Sequence, residues 1–347
     1  MKKQVLCLSL LIICFPLMLV SADIFSIART GTIVEVQQAI EAGADVNART
    51  VDGWTPLFLA ASSNDNPEVL TVLIDAGADV NARNDNGWTP LFLAASSNDN
   101  PEVLTVLIAA GADVNARTED GSTPLIYAAS SNDNPEVLTV LIAAGAEVGS
   151  NPLLFAAANN DNPEVFTILI DAGADVNARD VDGWIPLFLA AGLNDNPEVL
   201  TILIDAEAEV DARNKDGETP LMYAAGSNDN PEVLTILIAA GAEVDAIDVD
   251  GLTPLMLAAR YNDNPEVLTI LIAAGADVNA RNDFGSTPLM YAASFNDNPE
   301  VLTVLIAAGA DGYLKDEEGK TAFDYAKENE QIKGTQVYWE LNDAQYK

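Results

Sequence analysis

Carboxylates are the only abundant side chains in this chain with chemistry to offer. It holds 53 Asp and Glu against 16 Lys and Arg, and it has no histidine. Its two cysteines, Cys7 and Cys14, both fall in an apolar N-terminal run. Histidine-based serine triads, Cys-His dyads and His-Glu metal motifs are therefore excluded. No Gly-rich phosphate loop occurs. Paired carboxylates remain as a route to acid–base catalysis, but a working pair needs two unlike environments. The acids recur instead at regular intervals, as a solvated ladder does. No enzyme activity, catalytic residue or cofactor is expected.

The second chemistry the acids offer is calcium binding. Asn-Asp-Asn-Pro-Glu-Val occurs eight times, beginning at Asn64, Asn98, Asn132, Asn160, Asn194, Asn228, Asn262 and Asn296. Asn and Asp oxygens suit calcium, yet the spacing lacks the glycine and glutamate that complete an EF-hand loop. The same residues also have a purely structural use. Asn and Asp stabilise turns through their own backbone, and the last Asn caps the helix that Pro and Glu open. The structural use is preferred and no metal ligand is assigned; a calcium-binding repeat is the lesser alternative.

The elements that hold these loops repeat with them. The copies lie 34 residues apart, except that 28 separate Asn132 from Asn160. A fixed period in this range marks a solenoid of stacked units. In the unit from Asp85, Thr89-Pro90 opens a first helix, with Thr as N-cap and Pro at the first helical position. Ser96 to Asn100 breaks it, and Asn100-Pro101-Glu102 starts a second, whose acid suits the positive helix end. Val103, Leu104, Val106, Leu107 and Ile108 supply its apolar face, and Gly111 ends it.

Thr-Pro-Leu with a following Ala-Ala, then Glu-Val and a Leu/Ile run, then Gly-Ala-Asp-Val-Asn-Ala, resembles the ankyrin repeat. The resemblance covers residues 23–347 and implies an all-α ankyrin-repeat solenoid, helix-turn-helix units with short β-hairpin fingers. Eight units are read at 51–84, 85–118, 119–148, 149–180, 181–214, 215–248, 249–282 and 283–316, between caps at 23–50 and 317–347. The family's histidine after Thr-Pro-Leu is replaced by Phe58, Phe92, Ile126, Leu154, Phe188, Met222, Met256 and Met290. Apolar burial is expected to take over its role of tying units together. Gly149-Ser150-Asn151-Pro152 stands where a full finger loop would be, so one finger is clipped while the stack continues. The last helix, from Thr335 to about Ala344, closes the core.

Because the units are copies, the chain shows where it varies. The residue before Thr-Pro-Leu or its equivalent changes along the stack and includes Trp54, Trp88, Trp184, Glu218 and Leu252. The pair before Asn-Asp-Asn-Pro is Ser62-Ser63 early on but Arg260-Tyr261 and Ser294-Phe295 late. The resemblance places these positions on a concave partner-binding face. Trp and Tyr are the commonest hot-spot residues, so Trp54, Trp88, Trp184, Glu218, Leu252, Arg260, Tyr261 and Phe295 form the candidate site for a protein partner. Arg49, Arg83, Arg117, Arg179, Arg213 and Arg281 are expected to pair with acids of adjacent fingers. Against a tailored site, Trp54–Ile74 is identical to Trp88–Ile108, which leaves a structural spacer or surface array as the alternative function.

The formal net charge of −37 repels phosphate backbones and anionic membranes, so no nucleic acid is expected and a basic protein fits better. A monomer is expected. Lys2 and Lys3, the uncharged run Val5–Val20 and Val20-Ser21-Ala22 have the form of a cleavable secretory leader of bacterial type over residues 1–22. The run of 16 residues is short of a bilayer span. A periplasmic or secreted protein without cysteine follows, because the bulky Ile13 before Cys14 disfavours a lipid anchor. Intact-mass measurement of the exported protein should give Asp23 as the N-terminus; a species that keeps Cys14 with a lipid adduct would refute this.

Overall fold

Proline and asparagine set where the helices begin. Proline occupies the first turn of the first helix in most units, as in Pro56–Ser63, Pro90–Ser97, Pro220–Ser227 and Pro254–Tyr261, where its missing N–H has no partner to lose. The second helices, such as Pro67–Asp75, Pro101–Ala109 and Pro231–Ala239, are capped by the last Asn of each loop. Asn66 Oδ1 accepts from the Glu68 N–H at 3.0 Å, and the same bond recurs in all eight units.

The threonine caps are less uniform than the sequence implies. Thr123, Thr219, Thr253 and Thr287 accept from the third helical N–H at 3.3–3.4 Å. The buried Thr55 and Thr89 hydroxyls have no hydrogen-bond partner among the described residues, and Ile185 stands at that position in the fifth unit.

The computed structural model describes residues 23–149 and 151–344; the expected leader lies outside the described residues. Among them the regular structure is twenty helices and no strand. The fingers are closed turns: Thr50 N–H bonds the Trp54 carbonyl and Gly53 N–H the Thr50 carbonyl. Adjacent fingers share single backbone bonds, such as Lys215 N–H to the Asp182 carbonyl. First helices pack on first helices and second on second along the whole stack. Leu91, Ala94, Ala95, Val103, Leu104 and Leu107 are fully buried in the second unit, and their counterparts repeat the pattern.

The eight residues in place of the family's histidine are buried, none more than 6% exposed. Burial of each contributes about 1.5–3 kcal/mol. The hydrogen-bonded tie between units nevertheless lies elsewhere, a correction to the expectation that apolar contact replaces it. The first Asn of every loop is buried. Asn98 Nδ2 donates to the Ala61 carbonyl at 3.0 Å and the Asn64 carbonyl at 3.3 Å, both one unit back, while its Oδ1 accepts from the Asn100 N–H at 3.0 Å.

This spine starts in the N-terminal cap, where Asn64 reaches Ala28 and Gly31. It ends in the C-terminal cap, where Asn329 reaches the Asn296 carbonyl at 3.0 Å. A second ladder runs beside it, with Asn100 Nδ2 on the Asp65 carbonyl at 2.8 Å. Both carboxamide atoms are needed, an acceptor for the local turn and a donor for the neighbouring unit.

The spine also crosses the clipped finger. Asn160 Nδ2 donates to the Ala129 and Asn132 carbonyls at 3.1 and 3.3 Å, and the first helix Asn151–Asn159 packs on both neighbouring first helices. At the C-terminus Phe323, Ala326, Ile332, Val337 and Leu341 are buried and Tyr325 and Tyr338 half-buried; the last helix is Gln336–Ala344.

Asn228→Ala removes two donated bonds, to Ala191 and Asn194, and one accepted from the Asn230 N–H. It should lower stability by about 2–3 kcal/mol in urea unfolding. Asp229→Ala, at the exposed middle of the same loop, should change it by less than about 0.5 kcal/mol. Equal effects of the two substitutions would show that the spine bears no weight.

Candidate functional site

Finger bases and first helices together form one face of the stack, and the varied residues gather there. Trp54 is edge-on to Phe58 at 5.1 Å and to Trp88 at 6.5 Å. Trp88 stacks on Phe92 at 6.0 Å and meets Tyr127 of the next unit at 4.7 Å. Trp184 meets Phe188 at 5.2 Å and Tyr223 at 4.7 Å. All three tryptophans are half-buried. Each therefore joins two units and also presents an edge on the face.

The pairing leaves a trace in the sequence. Phenylalanine follows four residues after each of these tryptophans, whereas the other units carry Ile, Leu or Met there. Gly192 belongs to the same packing: a Cβ there would lie 2.2 Å from the Tyr223 ring. Burial raises the hydroxyl pKa of Tyr127, Tyr223 and Tyr291 above the ordinary value, so these groups stay protonated at neutral pH.

Glu218 and Leu252 are half-buried at the matching finger bases. The Glu218 carboxylate accepts from Asn214 Nδ2 at 2.7 Å, and Leu252 packs on Met222, Ala246 and Leu257. Arg260, Tyr261 and Phe295 come together. The Arg260 guanidinium lies 4.6 Å from the Phe295 ring centre, 4.7 Å from Tyr261 and 5.6 Å from Tyr291. Its Nε is buried without a hydrogen-bond partner among the described residues. Tyr291 and Phe284 join this cluster although sequence reasoning did not single them out. Tyr291 meets Arg260 because consecutive first helices pack side by side, and Phe284 lines the same cleft from its finger.

The arginine ladder differs from expectation. Arg117, Arg179 and Arg213 pair with Glu147, Glu209 and Glu243 at 3.2, 2.8 and 3.7 Å. The more general partner is a backbone carbonyl one unit on: Arg49 with Arg83, Arg83 with Arg117, Arg179 with Arg213, Arg213 with Ile247 and Arg281 with Lys315. A guanidinium reaches the next finger's carbonyl because each finger repeats at the same offset. Arg117 has a clipped finger ahead of it and bonds Glu147 and the Gly121 carbonyl instead.

The Oδ1 atoms of both loop asparagines are engaged in turns and caps, while the central Asp of each loop is exposed. Among the described residues no group of three or more His, Cys, Asp or Glu is placed to hold a metal ion. No helix among them is long and apolar enough to cross a membrane.

A stack of helix pairs, tied unit to unit and varied along one open face, is an α-solenoid whose working part is a surface. The family model for ankyrin repeats (3 copies) matches residues 24–118, 62–152, 153–248, 187–282 and 255–337. The chain belongs to the ankyrin-repeat family. Ankyrin repeats are protein–protein interaction modules and are generally not enzymes. A search of curated proteins returned no match to the chain.

Trp88 touches Trp54, Phe92 and Tyr127, so Trp88→Ala should destabilise the fold by about 2–3 kcal/mol, less than for a fully buried ring. Thr89→Ile, which copies the fifth unit's Ile185, removes a buried hydroxyl without a partner and should be neutral or stabilising by up to about 1 kcal/mol. Thermal and urea unfolding of both variants checks the contrast; a Thr89→Ile loss as large as that of Trp88→Ala would refute it.

Proposed function

We propose that this protein is an exported, non-enzymatic binding scaffold that holds a protein partner on its concave face. The observation that carries the proposal is the distribution of variation. Much of the framework of the eight units is uniform, while variation gathers on the fingers and first helices and includes Trp54, Trp88, Trp184, Glu218, Leu252, Arg260, Tyr261 and Phe295 at finger bases and first-helix ends. Large aromatic side chains with an accessible edge are the usual anchors of such surfaces.

The charge supports a basic partner. With −37 overall, the field of the stack speeds the approach of a cationic surface and slows it as salt rises. Export rests on the leader-like segment at residues 1–22, and placement in the periplasm or beyond follows from it. The absence of histidine and the confinement of cysteine to that segment suit a scaffold rather than a catalyst.

A second reading, that the stack is a spacer, is favoured by the identity of Trp54–Ile74 with Trp88–Ile108. Duplicated surface is not individually fitted to one partner. The two readings differ in what a substitution does.

Partners are to be captured from the native cells with the processed protein and then titrated with two triple variants. One carries Trp54, Trp88 and Trp184 as Ala. The other carries Thr71, Thr105 and Thr201 as Ala, on the exposed side of the second helices. The tryptophan variant should lose about thirtyfold or more in affinity, and the threonine variant less than about twofold. Both are compared only where circular dichroism shows the fold intact. Equal affinities would move the site off this face and favour the spacer.

A further inference from the structure

Six of the twelve most exposed large apolar side chains lie between residues 247 and 313, among them Tyr261, Phe284 and Phe295 at 54–59% exposure. The C-terminal part of the stack is thus its stickiest surface. Exposed aromatic side chains gathered in one place mark an interaction site. Phe284 and Ser286 of a finger, Tyr291 and Phe295 of the first helix Pro288–Phe295, Tyr325 of the cap and Arg260 from the preceding unit enclose a cleft of about 250 Å³. That is room for one side chain, not for a large ligand.

Arg260 and Tyr291 offer donors to this cleft, the Ser286 and Ser294 hydroxyls can donate or accept, and the Tyr325 hydroxyl donates to the Asp316 carboxylate. The Arg260 side chain makes no hydrogen bond or ion pair among the described residues. The six ladder arginines, by contrast, all bond backbone carbonyls. A guanidinium has no acceptor capacity. The Tyr291 oxygen already accepts from Asn282 Nδ2 at 3.0 Å, so its own O–H is left to donate. Contact with three rings restricts the guanidinium, a group able to meet a carboxylate through two donors.

Arg49, Arg83 and Arg281 also lack a carboxylate but bond carbonyls; the Arg260 side chain bonds neither, so the occupant has to bring the acceptor oxygens. We propose that Arg260, Tyr291 and the Phe284–Phe295 wall form a subsite for a carboxylate carried next to an apolar or aromatic side chain on a segment of the protein partner.

The subsite rests on the concave-face reading and adds a requirement to it. A mostly basic partner drawn in by the net field meets repulsion for its own carboxylates over most of the stack, and here Arg260 offsets the nearby Asp248, Asp250 and Asp316. One acidic anchor would then fix its register along the groove. Arg260 serves as the fork, Phe295 and Phe284 as the apolar wall, and Tyr291 as the second donor.

The test uses N-acetyl-phenylalanine and its uncharged amide, N-acetyl-phenylalaninamide, as probes of the purified protein labelled with nitrogen-15 at arginine. Arg260 Nε is shielded from solvent, so its N–H should be visible by NMR, and the R260S/Y261S variant assigns it. That variant carries the Ser-Ser pair of the first three units, a sequence the fold already accepts. F295S likewise restores Ser-Ser.

The acid should move the Arg260 resonance with a Kd of about 1 mM, as befits so small a ligand, and the amide should bind at least about tenfold more weakly. F295S, followed at the Arg260 resonance, should weaken the acid by about tenfold. So should R260K, which keeps the charge but not the fork and, lacking that resonance, is followed by saturation-transfer NMR on the ligand. Equal response to acid and amide, or no response to either, overturns the subsite.

The captured partner separates the two levels of the claim. If it binds R260S/Y261S like the parent protein but loses affinity for the tryptophan variant, this subsite is wrong and the concave-face reading stands. If neither variant weakens it, the face itself is wrong.

Discussion

Everything in this stack depends on one buried carboxamide per unit. The first Asn of each loop joins its own turn through Oδ1 and the preceding unit through Nδ2, from Asn64 to Asn329. Units of this size cannot bury an apolar face alone, so each needs a neighbour in a defined register. Apolar contact between alanines and leucines pulls the helices together but is tolerant of sliding. A buried donor that must meet two particular carbonyls is not, because leaving it unmatched costs about 1–3 kcal/mol. The hydrogen bonds set the register that the hydrophobic contact stabilises.

An asparagine spine also has a chemical consequence. Its amides do not titrate, and the chain contains no histidine, so the contacts between units keep the same charge state across the physiological pH range. The fingers follow the same scheme on a smaller scale. Asn81 Nδ2 bonds the Gly111 carbonyl, and its Oδ1 accepts from Asp113 N–H, at 2.9 Å each. Where Asp211 and Asp245 replace this Asn, only the accepting half is made, with Glu243 and Asp277 N–H. These two fingers are accordingly tied by one bond fewer, whereas Asn279 further along again makes both.

The varied face shows how one framework carries two kinds of aromatic surface. In the early and middle units Trp packs on Phe and on an aromatic ring of the next unit, so recognition and cohesion share side chains. In the last three units Glu218, Leu252 and Ser286 stand where the tryptophans were. Arg260 instead lies among Tyr261, Tyr291 and Phe295, leaving Tyr261 and Phe295 more than half exposed. An ankyrin framework tolerates this because the pair before each Asn-Asp-Asn-Pro loop sits at the end of the first helix, where Ser-Ser and Arg-Tyr place the same backbone.

Period, helix order, caps and core were legible in the amino-acid sequence, because they depend on short-range physics. Pro opens a helix, Asn caps it, Gly ends it, and Leu at helical spacing faces inward wherever the unit is copied. The family and the continuity across the clipped finger were legible for the same reason. What needed the tertiary structure were contacts between residues about one period apart. The loop asparagines were read as turn formers and caps, which they are, but their Nδ2 partners lie 28–37 residues back. The arginines were assigned to acids by charge alone, whereas stacking brings a carbonyl within reach. Thr55 and Thr89 satisfy a capping rule in sequence but not in geometry. At the site, the sequence located the varied positions, and the fold decided that Arg260 lies among three rings while Glu218 bonds its own finger. Local preference is written in neighbouring residues; the partner of a side chain depends on which surface the next unit presents.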